Sequence, residues 1–308
     1  MPGAATFVIR LWTGPRHRDE ALVSALEGPR VNILELTALV WCGSLLAGFV
    51  GALTGLGGGV ILTPLLTLLF GIDIRYAIGA TLVSVIATSS GAAAAYVREG
   101  FSNIRIGMLL EIATTVGAVV GASVALRLPT TAIALIFGAA LLYSAYASTQ
   151  IDHTKEAHGE PDRLTRFFKM DSSFPTPEGT RSYRVYNVGG GFGLMFGAGV
   201  LSGLLGIGSG ALKVIAMDQM MRIPFKVSTT TSNFMIGVTA AASAGVYLTR
   251  GYIDPGLAFP VVLGVLLGSM LGARVLPGVN TRVLRVGFAV VIGVLAVEMI
   301  VQALRGKL

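Results

Sequence analysis

The chain contains six runs without a single Asp, Glu, Lys or Arg: residues 36–70, 76–97, 128–151, 185–212, 227–249 and 255–273. Two more apolar runs, 106–126 and 286–304, carry one acid each, Glu111 and Glu298. A helix needs roughly 20 mostly apolar residues to cross the hydrocarbon core of a bilayer. Each run is about that long, and the first is longer. Soluble chains average about 25% charged residues, against 13% here. Residues 1–35 and 151–187 together hold 20 of the 39 charges, too uneven a spread for a soluble surface. The apolar content excludes disorder, and the single Cys42 excludes a disulfide scaffold. Continuous apolar runs also exclude an outer-membrane barrel, whose strands alternate in polarity. The expected fold is an all-α polytopic membrane protein of about eight transmembrane helices.

The charged segments divide the chain. Residues 1–35 form a tail without the pattern of a signal peptide. Residues 4–26 form either a surface helix, with Trp12 and Leu22 toward lipid, or a cytosolic tail. Residues 36–150 and 188–305 form two membrane units, and 151–187 is a polar linker with room for a short helix around Leu164–Met170. The tyrosines sit near span ends, where amphipathic rings favour the interface.

The two units align under a shift of 151 residues. Gly55–Gly59 falls on Gly206–Gly210, and the ungapped register then matches Tyr96 with Tyr247, Gly100 with Gly251, Gly117 with Gly268 and Gly121 with Gly272. Internal repeats of this kind mark secondary transporters, with the substrate site at the repeat interface. If residues 36–71 cross once, the repeats are parallel; if they turn back or cross twice, the repeats are inverted. Counting Lys and Arg outside the spans gives 15 on the terminal side against 7 for the single crossing, and 9 against 13 for the other case. The positive-inside tendency therefore favours parallel repeats with cytoplasmic termini. The abundance of inverted repeats among transporters favours the opposite.

Three features carry candidate chemistry. The clusters Gly57-Gly58-Gly59 and Gly208-Ser209-Gly210 interrupt apolar helices, since glycine costs about 1 kcal/mol per helix position. A break at membrane depth has to line a cavity or be buried in protein, and the restarting helix aims N–H groups at that cavity, a geometry suited to anions. Close helix packing is the competing reading, and the one preferred for Gly117xxxGly121 and Gly268xxxGly272. Second, Thr81 and Ser84 overlay a polar run, Ser228-Thr229-Thr230-Thr231-Ser232-Asn233. Part of that run serves as a helix cap, and the rest, Thr230, Thr231, Ser232 and Asn233, reads as a polar cavity wall. Third, Lys213 follows the second glycine cluster by three residues. A lysine at membrane depth costs roughly 2.5–3.5 kcal/mol, so it reads as substrate charge recognition or snorkels to the interface. Glu111 and Glu298 are candidates for proton coupling or for buried polar contacts. The histidines His17, His153 and His158 lie in polar segments, and no HExxH or GxSxG motif occurs. No enzyme, metal site or cofactor is expected, and the net charge of +7 reflects loop arginines rather than nucleic-acid binding.

Gly55–Gly59 with Pro64, the second copy Gly203-Leu204-Leu205-Gly206-Ile207-Gly208-Ser209-Gly210, and the Ala77–Ser84 segment with Gly79 and Thr81 together resemble the TauE/SafE family of sulfite and organosulfonate exporters. The resemblance covers about residues 35–305. The second unit departs from it in having Ile215 where Pro64 would correspond, and the linker is longer and more charged than the minimum. The resemblance implies membrane transport of small sulfur-containing or carboxylate-type anions, and the expected function is a secondary transporter, in the export direction, of a small anion such as sulfite or an organosulfonate, bound between the two repeats in the cell inner membrane. The site residues expected from these patterns are Gly57, Gly58, Gly59, Thr81, Ser84, Gly208, Ser209, Gly210, Lys213, Thr230, Thr231, Ser232 and Asn233. The expected partners are the anion, the bilayer, a coupling proton or ion, and a second copy in a homodimer. An anion channel and a non-transporting membrane assembly partner are the competing functions.

Overall fold

A computed structural model describes residues 33–54, 58–98, 102–149, 165, 170–176, 179–275 and 281–306. The tail helix over 4–26, the linker helix around 164–170, Gly57 and the three histidines lie outside the described residues, apart from positions 165 and 170. The helices are α1 (Ile33–Thr54), α2 (Gly59–Phe70), α3 (Ile74–Arg98), α4 (Ile104–Ala125) and α5 (Thr130–Thr149), then α6 (Val188–Leu205), α7 (Gly210–Ile215), α8 (Phe225–Thr249), α9 (Pro255–Val275) and α10 (Thr281–Leu304). A π-helical turn, Ala216–Met220, continues α7, and a β-hairpin in the linker pairs β1 (Ser172–Thr176) with β2 (Gly179–Tyr183). Eight of these helices have 18 or more residues; α2 and α7 are the short ones. This is the all-α polytopic fold that the uncharged runs predict.

Both glycine clusters break the helix. α1 ends at Thr54 and α2 restarts at Gly59; α6 ends at Leu205 and α7 restarts at Gly210. At the second break the backbone turns through three left-handed residues, Gly206 (φ 70°), Gly208 (φ 68°) and Ser209 (φ 43°). Two glycines take that region without steric cost; a serine does not.

After each break the chain folds back. A Cβ placed on Gly43 would lie 3.1 Å from Leu65 and 3.5 Å from Phe70. Position 43 precedes the first break by about as many residues as Phe70 follows it, so α2 runs antiparallel along α1. In the second half the Tyr186 amide, just ahead of α6, donates to the Met221 carbonyl beyond the π turn (3.1 Å), and Gly191 packs against Met221. Met221 is the residue that the 151-residue shift places on Phe70.

These hairpins decide the parity. The Arg75 guanidinium, at the start of α3, donates to the Leu128 carbonyl between α4 and α5 (2.8 Å) and lies 5.7 Å over the Tyr252 ring between α8 and α9. At the other end of α3, the Asn103 amide donates to Thr231 Oγ1 near the start of α8 (3.0 Å), and its side chain donates to the Met170 carbonyl and Tyr183 Oη in the linker. The helices α3 and α8, which correspond under the shift, therefore run antiparallel. The linker lies on the face opposite the α2–α3, α4–α5 and α8–α9 loops. That is the geometry of inverted units, and the parallel arrangement favoured by the charge tally fails. The tally erred because it counted residues 36–71 as a single crossing, whereas Gly43 against Phe70 is a return.

Helix packing follows the same relation. The tightest neighbours are α1 with α9, α4 with α6, and α5 with α10, while α3 and α8 cross at the centre. A Cβ on Gly48 would come within 2.4 Å of the Val265 carbonyl, and one on Gly199 within 2.2 Å of the Thr114 carbonyl; the 151-residue shift carries the first contact onto the second. The same holds for Gly268 against Leu45 and Gly117 against Phe196. Small residues let backbones approach where lipid supplies no hydrophobic drive. The lipid-facing surface falls on α1, α4, α6, α9 and α10, with Leu39, Leu46, Ile112, Val116, Phe259, Leu267 and Val294 exposed. Hydroxyls concentrate on the inner pair: Thr81, Ser84, Ser89, Thr231, Ser232, Thr239 and Ser243 are buried. One interface expectation fails. Tyr247 is fully buried and stacks edge-on with Tyr252, which meets Tyr76 in the same way.

Candidate functional site

At the crossing of α3 and α8 both helix breaks come together. Gly59, at the start of α2, has Thr81 and Val85 of α3 on one side and the Gly206 carbonyl on the other. Gly208 faces Val85 and Ile236, and Gly210 faces Ile236 and Ser232. Side chains at these positions would collide, so the glycines allow the two breaks to approach across the seam between the halves.

Lys213 lies on α7 just past the second break and is wholly buried. Its Nζ donates to Thr239 Oγ1 on α8 (2.5 Å). Thr239 in turn reaches Glu111 Oε1 on α4 at 2.7 Å and the Met235 carbonyl of its own helix at 2.9 Å. A threonine hydroxyl has one proton, so it donates to one of these at a time. Thr115 also donates to Glu111 Oε1 (3.1 Å). Glu111 Oε2 is buried with no hydrogen-bond partner. The result is a chain of three side chains, Lys213–Thr239–Glu111, with the lysine and threonine from the second half and the carboxyl from the first. Lys213 does not snorkel. Glu298, by contrast, is exposed on α10 and accepts from Gln302 (2.9 Å).

The hydroxyls named from sequence are mostly engaged locally. Thr81 accepts from Thr63 (3.0 Å), and Ser84 donates to the Thr81 carbonyl. Ser228 donates to the Ile223 carbonyl, Thr230 to those of Lys226 and Val227, and Ser232 to that of Gly210. Thr231 accepts the Asn103 amide, and Asn233 is half-buried nearby. The polar run thus ties the start of α8 to α7 and to the α3–α4 loop, while Ser209 Oγ at the break is buried and unpaired. Gly58 packs against Gly48 and Val265. Thr239, absent from the residues singled out above, had a visible signal: under the 151-residue shift it is identical to Thr88.

Two cavities approach the crossing. One of about 530 Å³ lies between α4 and α8 on the face away from the linker, lined by Ser123, Arg127, Gly245, Thr249, Arg250 and Tyr252 among others. Of its α8 lining residues, Ala242 lies nearest Thr239 along the helix, one turn or about 5 Å away. The other, about 300 Å³ and mostly apolar, reaches Ser209 and Gly210 from α5 and α6. On the linker face the seam is closed by Asn103, Thr231, Met170 and Tyr183. Burial, opposed by the Asn103 hydrogen bond, holds the Tyr183 phenol above its ordinary range, so it stays neutral there.

The chain is 26% identical over 267 residues to the probable membrane transporter protein YunE of Bacillus subtilis, covering 84% of this chain and 96% of that protein. It is 29% identical to the probable membrane transporter protein YdhB of the same organism, over 75% of this chain and 84% of that one. It is 23% identical to the probable membrane transporter protein MJ0441 of Methanocaldococcus jannaschii, over 91% and 100%. No solved structure matches it. The family model described as sulfite exporter TauE/SafE matches residues 40–299. A multi-pass helical protein with such relatives is a membrane transporter and not an enzyme, and the chain belongs to the TauE/SafE sulfite exporter family.

Proposed function

We propose that the protein is a secondary transporter exporting a small anion, such as sulfite or an organosulfonate, which binds at Lys213 in the seam between the two inverted units. The observation that carries this reading is a fully buried lysine just past a helix break, joined to the opposite half through Thr239 and Glu111. A cation held in a low-dielectric site is a strong partner for an oxyanion, because charge-assisted hydrogen bonds are about twice as strong as neutral ones. Arg127 and Arg250 at the mouth of the larger cavity raise the local anion concentration. Gly59, Thr81, Gly208, Ser209, Gly210 and Ser232 frame the crossing, and rocking of one unit against the other exposes it to alternate faces.

Counterflow in proteoliposomes with sulfite, methanesulfonate, thiosulfate and a carboxylate panel tests the reading. Trans-stimulated exchange of at least one sulfur oxyanion is expected, abolished in Lys213→Ala. Anion flux without trans-stimulation would identify a channel, and equal flux in Lys213→Ala would remove the site from Lys213. On the inverted arrangement the charge tally of 9 against 13 favours a cytoplasmic linker face in the cell inner membrane, the reverse of the expected cytoplasmic termini. Cysteines introduced at Ser172 and Lys307, in a Cys42→Ser background, should label from opposite sides; labelling from the same side would refute the topology.

A further inference from the structure

We infer that Glu111 is the proton site of the transporter, and that a proton on Glu111 and an anion on Lys213 are bound together. The inference rests on the anion reading above. Three observations support it. The carboxyl and the ammonium are linked by one hydroxyl, Thr239 Oγ1, across the seam between the halves. Glu111 Oε1 accepts two hydrogen bonds, whereas Oε2 is buried and has none. Among the described residues of the elements packed against it, no second charge stands beside Glu111. On α4 itself Arg105 is nearly two turns away, α6 carries no titratable side chain, α8 has only Lys226 and Tyr247 near its ends, and the π turn carries Asp218. Of the charged groups among these, Lys213 is the one acting on Glu111.

Charge balance in a dry seam then fixes the coupling. With no anion, Lys213 ammonium and Glu111 carboxylate sum to zero. With a monoanion bound, the site is neutral only if Glu111 takes a proton, for which bare Oε2 is the open position. The two other combinations leave a net charge in a low-dielectric interior, which is costly. Glu111 is therefore the built-in counter-ion of Lys213; protonation removes that competitor, and the anion replaces it. By linkage the effect is reciprocal: the anion raises proton affinity as much as the proton raises anion affinity. The proton comes from and returns to bulk water, and no covalent bond changes apart from the carboxyl O–H. A monoanion thus crosses with its proton, without net charge movement.

The test uses full-length protein in proteoliposomes at clamped potential, with methanesulfonate, which keeps a single charge, and sulfite as probes. A lumenal pH dye and labelled anion are read together. Wild type should move about one proton per methanesulfonate. Glu111→Gln, which mimics the protonated carboxyl, should lose proton movement and the pH dependence of the rate, whatever its absolute rate of anion counterflow. Wild-type anion flux with no accompanying proton overturns the inference, as does a Glu111→Gln protein that still carries protons. Should that variant fail to reconstitute, the wild-type proton-to-anion ratio decides alone. Absence of counterflow by wild type for every probe defeats the transport reading itself, and the proton linkage with it.

Discussion

The two halves share their packing but not their charges. Under the 151-residue shift Lys213 corresponds to Leu62, Thr239 to Thr88 and Glu111 to Val262. Leu62 is fully buried in the apolar core, and Thr88 donates back to the Ser84 and Val85 carbonyls of its own helix. The matching position in the second half sends its hydroxyl across to another helix. The glycine contacts, by contrast, repeat residue for residue: Gly48–Val265 and Gly199–Thr114, Gly268–Leu45 and Gly117–Phe196. The caps repeat too. Asn103 accepts from the Ile106 amide, and Asp254 from the Leu257 amide, 151 residues on. A duplicated scaffold positions the crossing, and the two charges joined there through Thr239, Lys213 of the second half and Glu111 of the first, have no charged counterpart under the shift.

The strongest way to break this comparison is to make the second half resemble the first. Lys213→Met should abolish anion counterflow, a loss of at least about 100-fold, and destabilise the protein by about 3–5 kcal/mol, because it strands a buried carboxylate. Adding Glu111→Gln should restore most of the thermal stability in detergent but none of the transport. Equal melting temperatures for the single and double variants would show that the two charges do not interact.

Next in size is the packing that the halves share. Gly117→Ala would bring a Cβ to 2.3 Å from the Phe196 carbonyl, and Gly268→Ala, its counterpart, to 2.0 Å from that of Leu45. Both are backbone clashes that no side-chain rotation relieves, and each should cost about 1–3 kcal/mol. Gly197→Ala, inside α6 with open space around it, serves as the control and should be neutral or slightly stabilising. Unequal losses at Gly117 and Gly268, read from thermal unfolding, would mean that the two seams are not equivalent.

The sequence disclosed this scaffold unevenly, for physical reasons. Helix breaks at Gly55–Gly59 and Gly206–Gly210 were legible because glycine acts locally on the backbone. The packing role of Gly117, Gly121 and Gly268 was legible from spacing alone. The return of α2 along α1 was not, since a hairpin and a single long crossing have the same hydropathy; only the contact of Gly43 with Leu65 and Phe70 separates them. The hydroxyl run from Ser228 to Ser232 suggested a cavity wall, but hydroxyl direction depends on the carbonyls within reach, and those of Lys226, Ile223 and Gly210 claim most of them. Lys213 stood out as a charge with no loop to occupy. Its link to Glu111 was hidden because it depends on which helix lies opposite.

A smaller effect should separate the paired threonines. Thr239→Val removes the hydroxyl between Lys213 and Glu111 and should cost about 1–2 kcal/mol in stability or anion affinity. Thr88→Val removes only a bond to its own helix, and such i−4 bonds stabilise little, so its change should stay within about 0.5 kcal/mol. Similar losses in binding assays would mean that the crossing draws on both halves alike.

The smallest effect belongs to the mouth of the larger cavity. Arg127 and Arg250 are exposed, and exposed charges act through a screened field, with a Debye length of about 8 Å at physiological salt. Neither touches Lys213, so replacing them should leave the maximal rate unchanged. Their positive field concentrates anions at the cavity, so Arg127→Gln with Arg250→Gln should lower the apparent affinity for sulfite a few-fold at low salt. The difference from wild type should vanish at high salt, as screening removes the field in both proteins. A loss that persists at high salt would indicate direct contact with the anion, placing part of the binding site at the cavity mouth rather than at the crossing. A loss confined to low salt leaves Lys213 as the cation that holds the substrate and the two arginines as the field that delivers it.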